Sequence, residues 1–88
     1  MVNDTSLLIF PTDYPIKVIG RPSVEFRARI HAIVLRHVAA LEASHVSEHL
    51  SKNGNYLSIS YAIRADSREQ VSALAADLTA CPEVLLVI

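Results

Sequence analysis

The sequence predicts an α+β sandwich, four strands in one antiparallel sheet with two helices on one of its faces, in the order βαββαβ. Three observations carry that prediction. Asn53-Gly54 separates two β-rich runs, Val46 to Lys52 and Asn55 to Arg64, and reads as a tight type I′ hairpin because both residues tolerate positive φ. Apolar residues recur at spacings of three and four on either side of that hairpin, the period of a helix with one buried face. The chain then closes on the apolar run Val84 to Ile88, which reads as a last strand.

Taken in order, residues 1–15 form an extended leader that holds the cluster Leu7, Leu8, Ile9 and Phe10 and two prolines, Pro11 and Pro15, which disfavour regular structure. Phe10 is expected to pack against the domain that occupies residues 16–88. Ile16 to Gly20 has the β-branched content of a first strand. Ser23 suits the N-cap of the first helix, with Glu25 placed against the helix dipole. Phe26, Ile30, Ile33, Val34, His37 and Leu41 form its apolar stripe.

The hairpin strands follow. Pairing across Asn53-Gly54 sets Ser58 opposite His49 and Ser60 opposite Ser47. Leu57, Ile59, Tyr61 and Ile63 alternate with Tyr56, Ser58, Ser60 and Ala62, so the first set is expected against the helices and the second on the outer face. Ser67 and Gln70 form a capping box for the second helix, whose stripe is Val71, Leu74, Ala75 and Leu78 and whose stop is Pro82. Right-handed crossovers place the first and third strands in the centre of the sheet. Two helices cover only one sheet face, so the other is open, polar near the hairpin and apolar near Ile19, Leu85 and Val87.

Composition limits what such a domain does. With 88 residues the chain buries about 60–65% of its unfolded surface, which leaves little core to spend on a large enclosed active site. Small domains gain from pairing, so a homodimer is expected. A net charge of −1 gives no electrostatic reason to bind nucleic acid or an anionic membrane. The single cysteine, Cys81, excludes an intrachain disulfide and a paired-cysteine zinc site. No apolar run approaches the roughly 20 residues of a membrane span, and the first ten residues lack a basic signal region, so a cytoplasmic protein is expected.

Several stretches resemble the YbeD-like bacterial family of small proteins of unknown function: Phe10-Pro11-Thr12, Lys17-Val18-Ile19-Gly20, Arg36-His37, Ser51 to Tyr56 with Ser58-Ile59-Ser60, and Val84 to Ile88. The strongest piece is Gly54-Asn55-Tyr56-x-Ser58-x-Ser60, and the resemblance covers nearly the whole chain beyond its first few residues. It departs at Ala75, where the family usually has tyrosine, and at Leu86, where it has methionine. The resemblance implies an ACT-like, ferredoxin-like fold, no catalytic residues to carry over, and a regulatory analogy in which related domains bind small effectors such as amino acids beside a glycine turn after the first strand. Gly20 holds that place here, followed by Arg21 and Pro22.

Lys17, His49, Tyr56, Ser58 and Ser60 form a candidate partner surface, and Gly20 and Arg21 a candidate effector loop. A non-enzymatic regulatory or adaptor domain is expected, with protein contact as its mode of action and a small-molecule effector as the alternative. A weaker alternative is a hydrolase, since Gly20 to Arg27 resembles the acylphosphatase loop that cradles phosphate before a helix, although Pro22 removes one donor. His45 and His49 share a strand face only if the second strand starts early, and they lack a third ligand, so no metal is assigned. Ser58 and Ser60 beside His49 lack an oxyanion hole, and Cys81 has no assignable base, so neither is assigned to catalysis and no cofactor is expected. His37 is expected half-buried and locally hydrogen-bonded. Tyr56 is the one aromatic on the open face, too few for an RNA-recognition surface.

Overall fold

A computed structural model describes residues 9–39 and 41–88. Its elements run β1 (Thr12–Gly20), α1 (Val24–His37), β2 (Val46–Leu50), β3 (Leu57–Ala65), α2 (Arg68–Ala80) and β4 (Val84–Val87), with a 3-10 turn at Ala43–His45 before β2. The sheet is antiparallel with strand order β2-β3-β1-β4, the ferredoxin-like arrangement that the crossover argument requires.

The first strand is longer than its composition suggests. It begins at Thr12 rather than Ile16, so Pro15 lies inside it, opposite Ala62 of β3. The backbone accommodates the proline for a simple reason. Lys17 N–H donates to Ile88 C=O at 3.0 Å and Ile88 N–H to Lys17 C=O at 2.8 Å, so odd-numbered residues of β1 turn their backbone groups away from β3. The donor that Pro15 lacks would therefore point past the end of β4, where no ladder bond is lost. Of the leader, residues 1–8 lie outside the described residues; Phe10 is half-buried, and the Phe10–Pro11 peptide is cis.

Both helices start where their caps place them. Ser23 Oγ accepts from Phe26 N–H at 2.9 Å and Ser67 Oγ from Gln70 N–H at 3.1 Å. The second cap is not a reciprocal box: the Gln70 side-chain carbonyl accepts from Asp66 N–H, one residue earlier than the box geometry requires, and its amide reaches α1 instead. Helix α1 buries Phe26, Ile30, Ile33 and Val34 and ends at His37, so Leu41 packs half-buried from beyond the helix. Helix α2 buries Val71, Leu74 and Leu78. Apart from Val71, these meet Ile16, Val18, Leu57, Ile59, Tyr61 and Ile63 from the sheet in one core.

The hairpin has the expected register, with His49 opposite Ser58 and Ser47 opposite Ser60, but not the expected turn. Among the described residues only Gly54 has positive φ, at 74°, which excludes type I′ at Asn53-Gly54. The turn instead runs from Ser51 to Gly54, closed by Gly54 N–H on Ser51 C=O at 2.8 Å, and Ser51 Oγ accepts from Asn55 and Tyr56 N–H. The last strand also differs. Gly20 pairs with Val84 but Ile19 with Leu86, a bulge that inserts Leu85 and turns Leu86 outward while Val87 packs on the core. The outward residues are thus Ile19 and Leu86, with Leu85 exposed at the bulge and Val87 not among them. Among the described residues, no helix is long and apolar enough to cross a membrane.

Candidate functional site

The uncovered sheet face is built from two rows of side chains that cross all four strands. Strand pairing places Ser47, Ser60, Lys17 and Ile88 side by side in one row, and His49, Ser58, Ile19 and Leu86 in the next. Each row runs from hydroxyl or imidazole at β2 to bare hydrocarbon at β4. The sequence-derived surface residues Lys17, His49, Ser58 and Ser60 are therefore contiguous. A shallow depression of about 250 Å³ lies on this face, lined by Pro15, Ile16, Lys17, Ser60 and Ile88.

Tyr56 stands at the corner of the face, beside the hairpin. Because Gly20 pairs with Leu57, the next residue along, Arg21, comes opposite Tyr56, and its guanidinium carbon lies 6.0 Å from the ring centroid. That distance is at the limit of a cation–π contact, worth about 0.5 kcal/mol when exposed. The candidate effector loop and the aromatic of the candidate partner surface are thus one corner of the molecule, a juxtaposition that strand register reveals and motif reading does not.

Gly20 itself faces inward. A Cβ on it would stand 2.5 Å from Phe26 Cζ and 2.6 Å from Glu83 O, so the glycine exists to let the Phe26 ring and the β4 approach pack against β1. The space beside Gly20 is filled by protein, and a ligand at this turn would have to bind from the Arg21 side. At the start of α1, Pro22 has no N–H, Phe26 N–H is bonded to Ser23 Oγ and Arg27 N–H to Ser23 C=O at 3.2 Å. Few donors remain for a phosphate cradle.

The remaining singled-out residues have structural partners. His45 sits in the 3-10 turn before β2, so it does not share a strand with His49. Among the described residues no group of three or more His, Cys, Asp or Glu could hold a metal ion. His37 is half-buried, but its bond is not local: Nε2 lies 2.6 Å from Asp77 Oδ2 on α2. Cys81 is buried with a free thiol, 3.4 Å from Glu83 Oε1, and Glu83 also pairs with Arg29. Tyr61 is buried under the helices, its ring 6.4 Å from that of His31, and its hydroxyl is pushed up to about 12 by burial first and the Glu48 carboxylate second. Nothing in this set supplies an activated nucleophile with an oriented base.

The profile of a protein family described as "Protein of unknown function (DUF493)" matches residues 5–88. A UPF0250 protein of Bordetella parapertussis is 36% identical over 85 residues, covering 97% of this chain and 93% of that protein. A UPF0250 protein of Hahella chejuensis is 39% identical over 79 residues, with 90% and 87% covered. Among solved structures, the C-terminal domain of the MgtC protein from Mycobacterium tuberculosis aligns with a TM-score of 0.66 at 16% identity, covering 92% of this chain and 88% of that one. The ACT domain from GTP pyrophosphokinase of Chlorobium tepidum aligns with a TM-score of 0.61 at 14% identity, covering 88% and 97%. At those identities the likeness is one of fold.

Proposed function

Since the chain belongs to the DUF493 family, the YbeD-like family of small bacterial proteins of unknown function, and has the ACT-like, ferredoxin-like fold, we propose that it is a non-catalytic regulatory or adaptor domain acting by protein–protein contact through its sheet, self-pairing included. The observation that carries this reading is the pair of cross-sheet rows, which present a broad graded surface with a shallow depression. Such a surface suits another protein better than a small substrate. A cytoplasmic setting fits a chain with one buried, unpaired thiol.

The reading is tested by sedimentation of the pure protein over a wide concentration range. Concentration-dependent association is expected, and pairing through the open face would be read from its weakening in Tyr56→Ala or in Ser60→Arg in the middle of that face. A monomer at every concentration would sink the self-pairing reading.

A second reading rests on the Arg21–Tyr56 corner, whose guanidinium and ring suit a small anionic effector such as an amino acid carboxylate. A thermal-shift screen against amino acids, nucleotides and acyl phosphates addresses it. An upward shift that disappears in Arg21→Ala supports an effector-binding module, and hydrolysis of an acyl phosphate dependent on Arg21 would favour the weaker hydrolase reading. A flat screen leaves protein contact as the sole mode.

A further inference from the structure

The two edges of the sheet differ in kind. Strand β2 carries Ser47, Glu48 and His49, and Glu48 is held to Arg27 of α1 with Arg27 Nε at 3.0 Å from Oε1, so that edge is polar and tied down. The other edge, β4 with Ile88, reads Val-Leu-Leu-Val-Ile and has neither a charged side chain nor proline. Leu86 is 51% exposed and Ile88 67% exposed. Leu86 and Ile88 direct their backbone groups to β1, so the N–H and C=O of Val87 alternate outward, at the edge of the sheet.

We propose that this edge binds the same edge of a second copy, antiparallel about a two-fold axis at Leu86, to make one continuous eight-stranded sheet. The inference rests on the protein-contact reading above and names its partner and register. The occupant is another strand because the unmet groups are backbone donors and acceptors in extended geometry. It is a second copy because a strand without charged side chains meets itself without side-chain repulsion and an isologous contact closes at two. In this register Val87 exchanges backbone hydrogen bonds with the partner's Leu85, Leu86 lies beside the partner's Leu86, and Val84 comes opposite the partner's Ile88.

The helix layer permits the approach. A stable dimer buries about 1,200–2,000 Å² in total, more than a five-residue strand contact supplies. Gln70 and Asp77 bond to His37, which fixes the flank of α2 that faces α1. At about 100° per residue, Ser72, Ala75 and Thr79 lie on the opposite flank, above β4, and all three are small. Two α2 helices can thus close over the joined strands and add the missing area.

The test is sedimentation of the full chain as wild type, Val87→Pro and Leu86→Glu. Val87→Pro removes an outward donor and no bond to β1, and Leu86→Glu sets two carboxylates together at the axis. Each is expected to raise the dimer dissociation constant at least tenfold while far-ultraviolet circular dichroism stays native. In a Cys81→Ala background, Leu86→Cys is expected to form a disulfide-linked dimer with oxidised glutathione, whereas Glu48→Cys on the other edge is not. A dimer that ignores both edge variants but dissociates with Ser60→Arg overturns this register and leaves the protein-contact reading standing. A wild type that never associates overturns this register and the self-pairing reading together, and leaves contact with a different protein standing.

Discussion

The side-chain amide of Gln70 donates to the backbone carbonyl of His37 at 2.6 Å, so the first turn of α2 closes the open end of α1. The same side chain accepts from Asp66 N–H at the start of its own helix, and His37 in turn reaches Asp77, so two contacts bind α2 to the end of α1. Gln70→Ala leaves a part-buried carbonyl unmet and is expected to cost about 1–3 kcal/mol by urea unfolding. Gln70→Glu, which keeps the acceptor but loses the donor, is expected to be no better than the alanine; full stability in either variant would remove the clasp.

Gly20→Ala introduces a methyl into space held by Phe26 and the Glu83 carbonyl. Overpacking of this kind costs about 1–3 kcal/mol, and backbone oxygen yields less readily than a side chain. The expected result is a clear loss in Tm, only partly recovered by adding Phe26→Leu, because that change relieves the ring and not the carbonyl. Full recovery would mean that the Glu83 approach is adjustable.

At the hairpin, Gly54→Ala places a side chain at positive φ and is expected to destabilise by about 1 kcal/mol. Nothing lies within 4 Å of the added carbon, so the whole effect is backbone strain. Asn53→Ala, at a position without positive φ, is expected to change stability by less than about 0.5 kcal/mol. Equal losses at the two positions would restore a type I′ turn.

Tyr61 makes a pH prediction. Burial raises its hydroxyl from 10.0 to about 12, so between those values the unfolded chain has lost a proton that the folded chain keeps. Its contribution is fully present below pH 10 and is lost as pH rises through 12. A shift of this size corresponds to roughly 3 kcal/mol. Tyr61→Phe is expected to flatten this alkaline loss in denaturant titrations, and an unchanged slope would place the ionisation elsewhere.

Most of the fold was legible because it rests on local patterns. Ser23 and Ser67 announce both helices, and the alternation from Leu57 to Ile63 assigns each residue to its face without any long-range knowledge. The failures share a cause in tertiary pairing. Pro15 looks like a breaker until the neighbouring strand shows that its missing donor faces no acceptor, and the bulge that exchanges Leu86 for Val87 is visible only against β1. Lys17, His49, Ser58 and Ser60 were likewise assignable one by one to the open face, where strand pairing sets them side by side. The meeting of Arg21 with Tyr56 required the register of β1 on β3, which no stretch of either strand encodes alone.

Pro15 acts on its neighbours as a ruler. Any strand that runs alongside the outer side of β1 reads paired rungs at Ile19 and Lys17 and then, two residues on, finds a position with no donor. The ladder is therefore weakened at a point set by β1 itself, and an incoming segment would find an acceptor there but no donor.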